Sequence, residues 1–149
     1  MRRPEQHLDF DMDLAVSHSK DNPFYYVEYA HARTCRVLEK AENEGLLTSD
    51  KLGLEYRLKL KLKEEKMLLK ELARYPEVVL SAGEQYSAHP IVNYLRELAG
   101  AWHHYYDAGH KLLHDDETIR APRLTLTAAV QQVLRNALAI IGVKALDKM

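Results

Sequence analysis

One tyrosine and three cations follow a single line along residues 29–40. Tyr29, Arg33, Arg36 and Lys40 recur at steps of four, three and four residues, which places them on one face of a helix. At about 100° per residue, this face lies roughly 110° from the apolar stripe of the same segment and is exposed. Cations bind phosphates, and a tyrosine ring or a guanidinium stacks on an unpaired base. The line suits RNA contact, but spacing alone favours an ordinary solvated helix face.

A second line of polar side chains borders the apolar stripe of a later segment. His103, Tyr106 and His110 recur at steps of three and four residues. Tyr106 lies about 60° and His110 about 100° from the centre of that stripe. We therefore expect these side chains to be partly exposed and able to meet a base.

A metal site is a competing interpretation of the same segment. Four of its side chains recur at steps of four, three and four residues: His103, Asp107, His110 and His114. Histidines one turn apart can share an ion, and Glu28 with His31 gives half of the pattern of di-iron helix bundles. Such sites need inward carboxylates, whereas Glu28 and Asp107 point roughly 140° to 160° away from the apolar stripes. The sequence has no second Glu-x-x-His, and we expect no metal site.

Other catalytic patterns are missing from the sequence. It has no glycine-rich phosphate loop, no paired-cysteine zinc pattern and no nucleophile elbow. Its one cysteine, Cys35, lies in a predicted helix, where the expected role is that of a small, partly packed side chain. We predict no catalytic residue and no cofactor for this chain.

Composition narrows the class of protein. The 149 residues suit one domain, and 46% hydrophobic with 29% charged residues is typical of a soluble globular protein. The formal net charge of -1 counts against indiscriminate RNA binding but allows a local basic stripe. A single cysteine excludes an internal disulfide and fits the cytoplasm. The apolar runs are far shorter than the roughly 20 residues that cross a bilayer, so we expect no membrane partner.

Helical periodicity and end signals predict the elements that position these residues. Pro23 starts a first long helix, which runs to about Glu44 and ends at Gly45. Residues 52–62 are ambiguous, because their alternation has strand period while their composition favours helix. A helix that starts at Lys63 is expected to break near Pro76, and a short helix then follows to about residue 85.

Two further helices carry the most regular apolar stripes. The stripe of the first spans six turns: Ile91, Leu95, Leu98, Trp102, Tyr105, Gly109 and Leu112. The last helix is expected over 122–141, capped by Gly142, with a stripe of Leu126, Val130, Val133, Ala137 and Ile140. With no credible sheet, we predict an all-α helical bundle of four to six helices.

Four segments, in order along the chain, resemble the C-terminal region of arginyl-tRNA synthetase, a class I aminoacyl-tRNA synthetase. Residues 7–15 resemble the junction that follows its catalytic domain, and residues 21–33, DNPFYYVEYAHAR, resemble the most recognisable motif of the region. Residues 90–99 resemble the helix that carries the anticodon-facing tyrosine, and residues 133–149 resemble the C-terminus. The resemblance spans nearly the whole chain.

The resemblance implies a division of the chain near residue 20. Residues 1–20 would be a junction from an absent catalytic domain, and residues 21–149 an all-helical anticodon-binding domain. The implied function is recognition of the anticodon loop of arginine-accepting tRNA, within an arginine–tRNA ligase that attaches arginine to its tRNA using ATP. The implied partners are this tRNA and the catalytic domain of the same polypeptide, which alone would bind ATP with magnesium. The full-length enzyme is expected to be a cytoplasmic monomer.

The resemblance also assigns roles to individual residues. Tyr29 and Arg33 resemble residues at the anticodon loop, and Arg36 joins them as the next cation on the same face. Tyr106 and His110 resemble an aromatic pair that handles an anticodon base, and Met149 resembles a terminal residue beside that pair.

Two other functions stay open. The same exposed faces would equally suit a docked protein, which would make the chain a helical-bundle protein-interaction module without RNA binding. The other is a metal-dependent bundle enzyme, which the outward carboxylates oppose.

Overall fold

The computed structural model describes residues 21–149 together with Asp13 and Ser17, so the predicted junction lies almost wholly outside the described residues. Residues 21–149 form five α-helices and one 3-10 helix: α1 Pro23–Asn43, α2 Asp50–Glu55, the 3-10 helix Arg57–Lys59, α3 Lys63–Glu84, α4 His89–Asp107 and α5 Glu117–Ile140. This described part contains no strand, and the predicted all-α bundle is confirmed. None of its helices is long and apolar enough to cross a lipid bilayer.

The first helix begins and ends where its sequence signals predict. The side chain of Asn22 accepts hydrogen bonds from the backbone amides of Phe24, at 3.0 Å, and Tyr25, at 3.4 Å, and Pro23 occupies the first turn. After the helix, Gly45 adopts a left-handed φ of 65°. The predicted apolar stripe is buried along its whole length: Val27, Ala30, Thr34, Val37 and Ala41.

The predicted break at Pro76 is wrong, because α3 runs through it from Lys63 to Glu84. A proline inside a helix removes one backbone hydrogen bond and costs about 3 kcal/mol. Pro76 itself is exposed, while Leu68 before it and Ala82 after it are buried in the core. Packing of both halves of α3 against the bundle therefore offsets the local cost.

The predicted length of α4 is wrong at its C-terminal end. The helix stops at Asp107, and Gly109 then takes a left-handed φ of 75°. Such a φ strains most residues but not glycine, so the chain turns here and leaves the helix axis. Leu112 still packs against the core, but from the following loop. Its match to the helical spacing is coincidental.

The last helix begins five residues earlier than predicted, at Glu117 rather than Pro122. Asp116 caps it by accepting a hydrogen bond from the backbone amide of Thr118 at 2.8 Å. The buried Arg120 then fixes this first turn through hydrogen bonds to three backbone carbonyls, those of Leu46, His114 and Asp115. The proline is tolerated because it lies near the start of an anchored helix.

The buried face of α5 also differs in part from the predicted stripe. Leu126, Val130 and Ala137 are buried as expected, but Val133 is half-buried and Ile140 is 51% exposed. Leu134 and Leu138 are buried in their place. Since α5 contacts all four other α-helices, its buried face is broader than one narrow stripe.

α4 and α5 form the centre of the bundle. α1 and α3 each pack against both of them, while α2 and the 3-10 helix pack on α5. Trp102 on α4 is fully buried in the core. α4 therefore presents one side to α1 and another to α3, and side chains on its α1-facing side can form a site with α1.

A buried carboxylate ties α3 to both central helices. Glu65 is fully buried, and its Oε1 atom accepts hydrogen bonds from the Tyr105 hydroxyl at 3.2 Å and from Arg123 Nε at 2.8 Å. Its Oε2 atom accepts from the backbone amide of Leu62 at 3.0 Å. The charge is thus paired and hydrogen-bonded, as a buried ion requires. Burial, followed by the charge of Glu65, raises the pKa of the Tyr105 hydroxyl well above its usual range.

The ambiguous segment 52–62 is held by a close contact between two helices. Gly53 in α2 is buried against α5, and a Cβ atom at this position would overlap Thr125 Oγ1 and would lie 2.7 Å from Thr125 Cβ and 3.0 Å from the carbonyl oxygen of Ala121. Only glycine permits this approach without moving the backbone of α5.

We predict that Gly53→Ala destabilises the chain by about 1–3 kcal/mol, because the added methyl group overpacks the contact between α2 and α5. The measurement is the urea midpoint at unchanged m-value. Gly83→Ala is the matched control, since its Cβ would meet nothing within 4 Å and the same change adds helix propensity. Equal midpoints for the two variants would contradict the proposed close approach.

Candidate nucleic-acid interface

Two tyrosines from different helices are joined by one guanidinium. Arg33 on α1 places its Cζ atom 4.6 Å from the ring centroid of Tyr29 and 4.6 Å from that of Tyr106, which lies on α4. Both distances are within the range of cation–π attraction. We call Tyr29, Arg33 and Tyr106 the tyrosine–arginine cluster. Three of the six predicted site residues therefore come together at the contact between α1 and α4.

Two side chains of α4 hold the guanidinium in place. Arg33 Nη1 donates to Asp107 Oδ1 at 2.8 Å and to His103 Nδ1 at 3.2 Å, and its side chain is 18% exposed. Desolvation acts to lower the pKa of Arg33, but its contacts with Tyr29 and Asp107 outweigh that effect and raise the pKa. The cation is therefore fixed and permanently charged, which favours a positioning role over that of a loose phosphate-binding arm.

His103 is buried, so the prediction that it is partly exposed is wrong. Two rings of α1 cover it, with centroid distances of 4.5 Å to Tyr26 and 5.7 Å to Tyr29. Its Nε2 atom lies 3.1 Å from the carbonyl oxygen of Tyr26, which can only accept, so Nε2 carries the proton. Burial lowers the pKa of His103, and the neutral ring offers Nδ1 as an acceptor to Arg33.

Two side chains beside the tyrosine–arginine cluster, Tyr25 and Asp107, were not predicted to belong to the site. The ring of Tyr25 stacks on that of Tyr29, with centroids 6.1 Å apart and planes inclined by 13°. Its position four residues before Tyr29 extends the predicted line by one turn, a signal that the sequence did carry. Asp107 points away from the core as predicted, with 61% of its side chain exposed, and from this exposed position it pairs with Arg33.

The cations further along α1 are more accessible. Arg36 is exposed one turn after Arg33, and Lys40 follows with a 3.7 Å ion pair to Glu44. An exposed pair of this kind contributes at most about 1 kcal/mol, so Lys40 can exchange Glu44 for another anion. These two side chains continue the cluster as a short basic strip along α1.

His110 does not join the cluster. It lies beyond the end of α4, so the helical spacing that linked it to Tyr106 does not apply. Its Nε2 atom lies 3.4 Å from Glu64 Oε2 on α3, and its ring packs 5.6 Å from that of Tyr105. The role of His110 in RNA contact stays a prediction.

The C-terminal tail, residues 143–149, covers a face of α1 that the sequence predicted to be exposed. Glu28 is fully buried there, and its Oε2 atom accepts a hydrogen bond from the backbone amide of Leu146 at 2.8 Å. His31 Nδ1 donates to the Leu146 carbonyl at 2.9 Å. Glu28 is thus directed toward the tail rather than into solvent, because a segment more than 100 residues away in sequence covers this face. Desolvation raises the pKa of this carboxyl group.

The same tail carries the predicted site residue Met149. Lys148 Nζ donates to Glu39 Oε1 at 2.9 Å, and Met149 itself is 41% exposed. Glu39 lies ten residues after Tyr29 on α1, which corresponds to about 15 Å along the helix axis. The tail thus runs toward the C-terminal half of α1, and a contact between Met149 and RNA stays a prediction.

Comparison with known proteins places this geometry in a family. A family model for the DALR anticodon binding domain matches residues 27–149. Over 149 residues the chain is 64% identical to the arginine–tRNA ligase of Dichelobacter nodosus and 50% identical to that of Acinetobacter baumannii strain AYE, covering 100% of this chain and 25% of each relative.

A solved structure agrees with these matches. The chain superposes on Thermus thermophilus arginyl-tRNA synthetase with a TM-score of 0.81 and 31% identity, covering 98% of this chain and 24% of that one. It therefore spans about a quarter of the length of these relatives. The resemblance inferred from four sequence segments is confirmed, and the chain belongs to the DALR anticodon binding domain family.

Proposed function

We propose that this chain recognises the anticodon loop of arginine-accepting tRNA, as the C-terminal domain of an arginine–tRNA ligase. The observation that carries the proposal is the tyrosine–arginine cluster, in which one guanidinium fixes two tyrosine rings from adjacent helices. Sequence-specific RNA recognition commonly uses such rings to stack on bases that have left the helical stack. The names of the relatives and the family support the same assignment.

The genetic code indicates which base the site would select. All arginine codons have G in the middle, so the middle anticodon base is always C. A splayed-out cytosine needs a stacking face and hydrogen-bond partners for its polar edge. Tyr29 and Tyr106 supply rings, and Arg36 supplies an exposed cation for a neighbouring phosphate. The formal net charge of -1 predicts weak binding by this chain alone, about micromolar or weaker, with a modest salt dependence.

The wider proposal concerns the complete enzyme. Attachment of arginine to its tRNA would take place in a catalytic domain of the same polypeptide, which would bind ATP and magnesium. We propose that the enzyme acts as a monomer in the cytoplasm, where a single free cysteine such as Cys35 stays reduced. The present chain would contribute recognition of the substrate and no chemistry.

A direct test compares two RNA hairpins that carry the anticodon stem and loop. One has an arginine anticodon, and the other differs only in its middle base, changed from C to another base. A mismatched base of this kind typically costs about 1–3 kcal/mol in protein–nucleic acid recognition. We expect a gel-shift titration to show that preference, and equal affinity for both hairpins would refute anticodon recognition by this chain.

Truncation of a stacking ring gives a second prediction. Tyr106→Ala should weaken binding of the arginine hairpin by about 1–3 kcal/mol, or roughly 5- to 140-fold, because one aromatic stacking face is lost. Tyr106→Phe keeps the ring and should retain most of the affinity. The measurement is a fluorescence-anisotropy titration at fixed salt.

Tyr86→Ala is the matched control for this loss. Tyr86 follows α3 and is 97% exposed, so it offers an aromatic ring outside the cluster. Its removal should leave the affinity unchanged. Unaltered binding by Tyr106→Ala, or an equal loss in both variants, would remove Tyr106 from the proposed site.

A charge-preserving substitution tests the guanidinium. Arg33→Lys keeps the positive charge but loses the planar group that contacts two rings and two acceptors, so we expect RNA affinity to fall by roughly fivefold or more. Arg36→Lys is the control, because an exposed cation that meets a phosphate acts as a point charge in either form. Equal behaviour of the two variants would show that charge alone matters at Arg33.

A protein-interaction module is the second candidate, and one observation favours it. Leu54 in α2 and Leu58 in the adjacent 3-10 helix are 57% and 78% exposed, which leaves apolar surface uncovered. This surface lies on different elements from the tyrosine–arginine cluster, so the two functions are compatible. Loss of the hairpin preference described above would leave this candidate as the main function.

A further inference from the structure

The tail brings a third ligand-type side chain to two that already share a face of α1. His31 and Cys35 lie one turn apart on α1, and Asp147 belongs to the tail. Cys35 Sγ lies 3.6 Å from His31 Nδ1 and 3.5 Å from Asp147 Oδ1, and the two latter atoms are 4.0 Å apart. We call these three residues the tail triad. Within the described residues, it is the one group of this kind in which three ligand atoms converge.

These distances match the edges of a zinc coordination tetrahedron. Zinc binds histidine nitrogen at about 2.0–2.1 Å, cysteine sulfur at about 2.3 Å and carboxylate oxygen at about 2.0–2.2 Å. Tetrahedral angles then put neighbouring ligand atoms about 3.4–3.6 Å apart. The two edges that include the sulfur already have that length. The nitrogen–oxygen edge, now 4.0 Å, would close with a shift of about 0.6 Å in the exposed Asp147.

The sequence predicted no metal site, but because the tail converges on α1 we propose that His31, Cys35 and Asp147 form a binding site for a zinc-like divalent cation that clamps the C-terminal tail to α1. A mixed set of imidazole, thiolate and carboxylate ligands is typical of zinc. Cys35 and Asp147 also line a groove between α1, α5 and the tail, which gives a water molecule access to the fourth position. The proposal concerns a face of α1 other than that of the tyrosine–arginine cluster and does not depend on RNA binding.

The surroundings of the thiol suit a metal-bound form. Gln131 on α5 donates its side-chain amide to Cys35 Sγ at 3.0 Å, and such a bond stabilises a thiolate ligand. In the metal-free chain, burial raises the pKa of the Cys35 thiol, so the sulfur is protonated. Binding of the cation would displace this proton to solvent.

His31 has a second ring nitrogen, Nε2, which can carry the proton that a metal ion would displace from Nδ1. In the metal-free chain, Nδ1 carries the proton, because the Leu146 carbonyl that it contacts can only accept. His31 Nε2 is buried and has no partner among the described residues. A cation on Nδ1 would replace the hydrogen bond from Nδ1 to the Leu146 carbonyl and would leave the ring proton on Nε2. Glu28, one turn earlier, has an equally buried Oε1 atom without a hydrogen-bond partner. A carboxylate beside a metal-bound histidine is a common arrangement.

One cation competes for the same carboxylate. Arg135 Nη2 lies 3.4 Å from Asp147 Oδ1 in a half-exposed ion pair. A bound metal ion would have to displace Arg135 or share the aspartate with it, so removal of the arginine should strengthen metal binding. Arg135 also acts electrostatically on Cys35, so the loss of binding in Asp147→Asn, rather than the gain on removal of the arginine, identifies the aspartate as a ligand.

The test is a titration of the chain with cobalt(II), with a phosphine reductant that contains no thiol. The sequence has one cysteine, so thiolate-to-cobalt charge-transfer absorption reports on Cys35 alone. We expect saturation at one cobalt per chain, visible bands of tetrahedral intensity, and displacement by zinc. His31→Gln and Asp147→Asn should each weaken binding at least about tenfold, and Arg135→Gln should tighten it a few-fold.

Asp115→Asn is the control, since Asp115 is an exposed acid that pairs with Lys111 at 2.6 Å, away from the triad. It should bind cobalt as the parent chain does. Asp147 is 69% exposed, so its variant keeps the fold, as circular dichroism would verify, and decides the outcome even if His31→Gln unfolds. Absence of the charge-transfer band, or undiminished affinity in Asp147→Asn, would overturn the proposal.

Discussion

The Arg33 guanidinium is the interaction on which the candidate site depends. It lies between rings of α1 and α4, and it is anchored by Asp107 and His103 rather than by solvent. An arginine held in this way fixes the separation of the two tyrosines before any ligand arrives. Since ordering of flexible side chains costs affinity, a surface fixed in advance would bind an unstacked base, the ligand that we propose, more tightly than two free tyrosines would.

The cluster in turn depends on the core beneath α4. Tyr106 packs against the fully buried Trp102, with ring centroids 6.2 Å apart, so the core limits where its ring can lie. On the other side of the same helix, Tyr105 reaches the buried Glu65 of α3. Rotation of α4 would break both contacts together. The stability of the fold and the geometry of the cluster are therefore coupled through one helix, and core substitutions near Trp102 should alter both.

Local periodicity explains what could be predicted from the sequence. The spacing of Tyr29, Arg33 and Tyr106 placed them beside the apolar stripes, and α1 and α4 do bring them together. His110 could not be placed, because the end of α4 depends on the left-handed turn at Gly109 rather than on periodicity. Burial of Glu28 could not be predicted from the sequence either, because it is caused by a tail over 100 residues away in sequence. Residue spacing describes which side chains are neighbours within one helix, whereas such burial depends on contacts between distant segments.

Residues of α1 divide between two environments because of helical geometry. Arg33 follows His31 by two residues, so their side chains point about 160° apart around the axis. One side of α1 therefore meets α4 and forms the tyrosine–arginine cluster, while the other meets the tail and α5. The buried positions between them, such as Thr34, keep the two sides in a fixed relation. A change in how the tail packs on α1 would therefore act on the opposite side of this helix from the tyrosine–arginine cluster.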